Sequence, residues 1–349
     1  MGTVAARSGY AFEMEFLEMN KKVNIVKDIN LNKIRRALKK NGTATKPQLA
    51  GFTGLSVVTV NSLVNTLIDT GEILPDAIMG SEGGRPAASF RYNSNFRMAL
   101  VIYMHEYRGQ DTAFYCVIDL LGDVIEREEH ILSRVNVESF DLQIEKLLRK
   151  YPRIEAICFG IPGEEVNQKL VISDYEEMRE QSLSGHVGEK FKLPVLVEND
   201  INAAVMGYCH QHNIQEDKCV IGLYFPDKYP PGAGIFLNGN IYKGRNGLAG
   251  EIKYLPFDVD WEVFDYDPEK AAEFLARTIR VFCCICNPDR IVLYGSNMGR
   301  DIPELIRERS LSQVEKIMLP EIITSTELNA DFETGITRIA LNIINTERA

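Results

Sequence analysis

The stretch NLNKIRRALKKNGTATKPQLAGFTGLSVVTVNSLVNTLIDTGEILP, residues 30–75, most constrains the fold. Ile34, Ala37 and Leu38 recur at helical spacing, with Asn30 or Asn32 placed to cap the start and Asn41-Gly42 to stop it. A second helix opens after Thr45, with Pro47 in its first turn and Leu49 and Ala50 inward. Gly54 makes a tight turn and Ser56 caps a third helix from Val57 to about Asp69. That helix buries Val60, Leu63, Val64 and Leu67 and ends at Gly71. Glu72–Leu74 and Phe90–Tyr92 then read as two short strands, joined by residues 75–89, which contain Gly83-Gly84-Arg85-Pro86. This is the order of a winged helix-turn-helix.

Such a module places its second helix in a major groove. The DNA-facing candidates are Thr45, Gln48, Ser56, Val57, Thr59, Asn61, Ser62 and Asn65, whose side chains are mostly short and polar. Arg85, beside proline in the wing, suits a minor groove. Ser56–Thr59 contains no Arg or Lys, so guanine readout there is weak. The 349-residue chain carries a net charge of −10, which excludes a nucleic-acid coat over its whole surface but not one basic module. Residues 21–46 supply that module, with Lys21, Lys22, Lys27, Lys33, Arg35, Arg36, Lys39, Lys40 and Lys46 against the single acid Asp28. Taken alone, such a run reads as a solvated face.

No apolar run approaches the ~20 residues that span a bilayer. Seven unevenly spaced cysteines fit a reduced chain better than a disulfide framework. A cytoplasmic protein with no membrane association is expected. After residue 95 strands alternate with helices: Ala99–Tyr103, Ala113–Asp119, Ala156–Phe159, Val195–Glu198, Cys219–Tyr224, Gly234–Leu237 and Arg290–Tyr294 are candidate strands. Residues 137–150, 201–212 and 268–286 are candidate helices. The pattern is α/β with two lobes.

Three segments carry further information: Gly160-Ile161-Pro162-Gly163, which reads as a turn after a buried strand; Glu198-Asn199-Asp200-Ile201-Asn202-Ala203-Ala204, where a strand hands over to a helix; and the glycine series 232–251, ending in Gly250-Glu251. By chemistry alone Asn199 or Asp200 reads as a helix cap. Together the segments resemble the ROK family of repressors, open reading frames and sugar kinases. The resemblance spans essentially the whole chain and points to the repressor branch, which carries an N-terminal winged helix-turn-helix. It implies a two-lobed actin-like, hexokinase-like (ROK) ATPase-type fold with a sugar between the lobes. Asn199, Asp200 and Glu251 would be its effector contacts, Asp200 matching the general base of kinase members.

The departures matter as much. Kinase members place a D-x-G-x-T phosphate loop after the first strand; here Val101–Arg108 has no aspartate and no glycine. Asp69-Thr70-Gly71, at the end of the third helix, cannot serve. Pro230-Pro231 stands where a second phosphate loop would be most open. The family's histidine and cysteine zinc ligands after G-E-I are absent, with Tyr254 in the histidine position. Cys283, Cys284 and Cys286 read as core thiols, and Cys209, His210 and His212 do not share a helix face. The expectation is therefore no catalytic residue, no metal and no cofactor.

The resulting organisation is a helical extension at 1–27, a winged helix-turn-helix at 28–92 and a two-lobed effector and oligomerisation body at 93–349. The expected function is a regulator of carbohydrate genes, read as a repressor. Its partners would be a double-stranded DNA operator, a sugar effector and further copies of itself, as a homodimer or homotetramer. Closure of the cleft would change the spacing of the paired winged helices. Two alternatives stand beside it: a sugar kinase with an appended DNA-binding domain, and a constitutive DNA-binding protein whose body binds nothing.

Overall fold

The computed structural model describes residues 25–81, 84–173, 175–226, 229–264, 267–295, 302–311 and 315–346. Two compact units divide between Phe96 and Arg97.

In the first unit residues 25–41 are helical (α1). Asn30 and Asn32 lie inside this helix and cap nothing, contrary to the sequence expectation. Asn32 instead accepts from Arg35 one turn on (2.8 Å). Gly42 ends the helix with φ +74°, its N–H returning to the Leu38 carbonyl. A short strand β1 (Thr43–Thr45) precedes α2 (Lys46–Thr53), and α3 (Val57–Asp69) follows. Gly54, in the left-handed region at φ +68°, makes the turn between the two helices, and Ser56 caps α3 through the Thr59 N–H. Residues 75–89 are not a loop. β2 (Ile73–Ser81) and β3 (Gly84–Tyr92) form a long antiparallel hairpin, and β1 adds to it in the order β1-β3-β2. The two strand ends read from sequence are the base of this wing. The core joins Ile34, Leu38, Leu49, Val60, Val64, Leu67 and Ile73, all fully buried.

The second unit holds two five-stranded sheets. The first is built from β4 (Met98–Tyr107), β5 (Gln110–Ile118), β6 (Val124–Ile131), β7 (Ile154–Ile161) and, past a two-stranded ribbon of β8 (Gly163–Val166) and β9 (Lys169–Ser173), β10 (Val195–Asn199). Its order is β10-β7-β4-β5-β6, parallel from β10 to β4 and antiparallel beyond. Helices α4 (Asp141–Lys150) and α5 (Leu183–Phe191) supply Ile144, Leu147, Leu183 and Val187 to its core. Gly160 and Ile161 belong to β7, so the expected turn begins only at Pro162.

After α6 (Asp200–Gln211) come β11 (Val220–Tyr224), β12 (Gly232–Leu237), β13 (Asn240–Ile241), α7 (Pro268–Ile285), β14 (Arg290–Tyr294), α8 (Ile302–Leu311), β15 (Glu321–Ser325) and α9 (Leu328–Thr346). The second sheet has the order β13-β12-β11-β14-β15. Cys283 is buried among its core residues and Cys286 half-buried, but Cys284 is exposed, which corrects the reading of three core thiols.

Helix α6 packs on β11 and β12, while α9 packs on β4 and β7. The two helices cross at Gly207 and Gly335. A Cβ on Gly207 would lie 1.8 Å from the Asp331 carbonyl oxygen, and one on Gly335 1.7 Å from that of Ala203. Only hydrogen at both positions permits backbones this close, and the crossing ties one sheet to the other. Among the described residues no single helix is long and apolar enough to cross a membrane.

Candidate functional site

Two surfaces hold the residues singled out by sequence. The first is α3 with its surroundings. Val57 (54 % exposed) and Val58 (81 %) project from its first turn. Asn61, Ser62 and Asn65 are exposed and Thr59 is half-buried, its hydroxyl 2.9 Å from that of Ser56. Lys46, at the start of α2, reaches across the turn to the Oδ1 atoms of Asn61 and Asn65. With the carbonyl ends held there, the amide N–H groups of both asparagines have no protein partner among the described residues. In the sequence Lys46 is only one basic residue among nine, since its position depends on the angle between two helices.

Thr45 is a correction. It is 8 % exposed and forms a capping box with Gln48, accepting from the Gln48 N–H while Gln48 Oε1 accepts from Thr45. Its side chain orders α2 and is engaged within the protein. Gln48 itself is exposed. The side chain of Arg85 lies outside the described residues.

The basic run divides by role. Arg35 is committed to the buried Glu72 (2.7 Å) and Lys39 lies over the Tyr92 ring. Lys33, Arg36 and Lys40 are exposed at spacings of three and four on α1, one stripe of a helix. Lys21 and Lys22 lie outside the described residues.

The second surface is a cavity of about 470 Å³ in the second unit, within the ~300–1,000 Å³ typical of small-molecule sites. The structure brings Asn199, Asp200 and Glu251 together on its wall. β10 ends at Asn199, whose Oδ1 caps α6 through Ile201 N–H and Asn202 N–H, and whose Nδ2 donates to the Gly163 carbonyl (3.3 Å). The capping role read from chemistry is thus present, together with a place on the cavity wall. Glu251 is set by Gly250, whose φ is +101° and whose Cβ would fall 1.9 Å from the Ala233 carbonyl oxygen, so only glycine fits.

Tyr254 is 75 % exposed and is not among the cavity residues. Lys253 is, and it pairs with Glu251 at 3.1 Å. Sequence reasoning passes over Lys253 and, more consequentially, Glu164. Glu164 follows the Pro162-Gly163 turn on β8, is 6 % exposed and lines the cavity. Burial, then the neighbouring charge of Glu198, push its carboxyl up to about 8; Lys243 opposes this, while Glu251 and Asp200 add to it. The signal available in the sequence is an acid directly after a glycine turn, which is too common to single out. Glu198 is 3 % exposed and paired with Lys243 (2.7 Å). Burial also holds the His105 imidazole, on the cavity wall, below its usual range.

β4 runs without interruption past the cavity to Tyr107 and returns as β5 through Arg108-Gly109. Pro230 and Pro231 line the same cavity. Among the described residues no group of three His, Cys, Asp or Glu side chains is placed to hold a metal ion.

Comparisons with known proteins fit this geometry. Residues 108–264 match the ROK family. A xylose repressor of Bacillus spizizenii is 26 % identical over 247 residues, 67 % of this chain and 62 % of the relative. The DNA-binding transcriptional dual regulator NagC of Escherichia coli is 25 % identical over 243 residues, 67 % of this chain and 58 % of the relative. The match thus spans less than two thirds of the length of these relatives. Among solved structures, a ROK family transcriptional regulator described as a homologue of the E. coli MLC protein superposes with a TM-score of 0.67 at 16 % identity, covering 93 % of this chain and 98 % of its own. A ROK glucokinase of Streptomyces griseus gives 0.51 at 16 % identity, covering 70 % and 99 %. The fold is that of ROK regulators and kinases, and residues 108–264 of the second unit are similar to the ROK family.

Proposed function

We propose that the chain is a DNA-binding repressor of carbohydrate genes, released or engaged by a sugar-class effector in the second-unit cavity. The observation that carries this reading is the presence in one chain of a helix-turn-helix with an exposed polar α3 and of a cavity walled by Asn199, Asp200 and Glu251. Asn61, Ser62 and Asn65 offer donors and acceptors to base edges, with Gln48 and the caps around Ser56, Val57 and Thr59 fixing the approach. Lys33, Arg36 and Lys40 would meet phosphates. Arg85 is assigned to the adjacent minor groove. The relatives named xylose repressor and NagC support the same class.

Catalysis is not part of this proposal. Phosphoryl transfer needs a loop of backbone donors and a carboxylate to hold nucleotide and metal, and the β4–β5 hairpin supplies a plain strand pair instead. A homodimer or homotetramer would present two winged helices to half-sites ~34–36 Å apart or multiples of that spacing.

The test is fluorescence anisotropy with DNA from upstream of the gene, over a salt series and against random competitor. Selective binding with a steep salt slope supports the repressor. Binding no better than to random DNA, followed by a flat selection from a random library, would sink it. The kinase alternative is tested by ATP with magnesium: a nucleotide at 100 times its Kd adds ~2.7 kcal/mol of stability, and the expected shift in melting temperature is nil.

A further inference from the structure

The polar groups of the cavity are unbalanced in a way that specifies the ligand. Asn199, Asn202 and Lys253 on the wall, and Lys243 beside Glu198, each give a donor to the protein: Asn199 to the Gly163 carbonyl (3.3 Å), Asn202 to Glu198 (3.3 Å), Lys243 to Glu198 (2.7 Å) and Lys253 to Glu251 (3.1 Å). Acceptors are left over. Asn202 lines the cavity, is 3 % exposed, and its Oδ1 accepts from nothing among the described residues. The amide is not reversible, because its other end must donate to a carboxylate. Glu164, also buried on this wall, takes no hydrogen bond or ion pair from any described group.

A wall that buries two free acceptors takes a ligand that brings donors to them. A phosphate or carboxylate ligand brings acceptors and a charge of the wrong sign. A hydroxyl brings one donor with two lone pairs, whereas an ammonium brings three donors and a positive charge. A metal ion would need a tighter gathering of ligands than these carboxylates form.

We propose that the ligand of this cavity is an amino sugar with its primary amine free, the ammonium resting on the Glu164 carboxylate and the Asn202 carbonyl. The inference rests on the reading of the cavity as the effector site and names the effector's chemistry. Glu164 is the specificity-determining residue, faced by Glu198, Lys243, Glu251 and Asp200. With the cavity empty its raised pKa keeps it largely neutral near pH 7. An ammonium beside it favours the ionised form, so binding releases a proton and tightens as pH rises from 6.0 to 7.5.

Calorimetric titration of the full chain with glucosamine, galactosamine and mannosamine, each beside its parent hexose and N-acetyl form, tests this at pH 6.0 and 7.5. One amine should bind at least tenfold more tightly than its two neutral counterparts, and more tightly at pH 7.5. In Glu164→Gln that preference should vanish while the melting temperature does not fall; Asn202→Ser should reduce it. A neutral sugar binding as tightly as its amine, or a preference that survives Glu164→Gln, overturns the ammonium and leaves the effector cavity standing. Failure of all nine sugars to bind overturns both.

Discussion

Glu164 is a buried acid whose folded pKa, about 8, stands well above its ordinary 4.5. Between those two values the folded state holds more protons than the unfolded chain. Stability from this group is therefore complete below about pH 4.5 and is lost as pH rises toward 8. The loss is roughly 1.4 kcal/mol per pH unit across that window. Glu164→Gln keeps the shape of the neutral acid and removes the titration. The difference in unfolding free energy between variant and parent, followed by urea melts of the ligand-free chain, should shift in favour of the variant by on the order of 3 kcal/mol between pH 5 and pH 8. A constant difference would mean that the Glu164 carboxyl is not desolvated. The same residue thus costs stability where it confers ligand selectivity, which is how strained functional positions commonly behave.

Elements differ in how openly the sequence announces them. The α6–α9 crossing depends on Gly207 and Gly335, and Gly207→Ala drives a methyl group into the Asp331 carbonyl. A loss of ~3 kcal/mol or more is expected, at or above the upper end for overpacking. Gly51→Ala, exposed in α2 with nothing within 4 Å of its Cβ, should instead add ~0.5–1 kcal/mol. Urea denaturation of the two variants checks the contrast. Neither partner of that crossing is legible in the sequence, because α9 lies more than 100 residues from α6 and a glycine inside a helix gives no sign of what packs on it. The helix-turn-helix is legible because caps, turn glycine and apolar spacing are local and agree with one another. Asn199, Asp200 and Glu251 are legible only through a motif, and Glu164 and Lys253 not at all, since the cavity joins β8, α6 and the segment after β13 by tertiary packing. The wing reads as shorter than it is for a related reason: strands β2 and β3 contain Pro75, Gly80 and Gly84, which read as loop residues until the pairing is seen.

For the whole molecule, two kinds of residue should give separable effects on DNA binding. Replacing Lys33, Arg36 or Lys40 by Ala should weaken binding to all sequences alike and reduce the slope of log K against log salt by ~0.9 for each phosphate that is no longer neutralised. Asn61→Ala or Asn65→Ala should leave that slope unchanged and cost ~1–3 kcal/mol at particular base pairs only. On the proposed function, the effector would act on top of both classes through linkage. If it lowers operator affinity by some factor, the operator must lower effector affinity by the same factor, whatever the path between the sites. Calorimetric titration of the effector into the free chain and into its operator complex should yield that factor, and anisotropy at saturating effector should reproduce it from the DNA side. A coupling of ~1–3 kcal/mol is typical of such sites. Glu164→Gln should abolish the coupling to an amino sugar while leaving operator affinity without ligand intact, because Glu164 lies in the second unit and the readout residues in the first. Equal effector affinity for free and DNA-bound chain would make the cavity a binding site without a regulatory role.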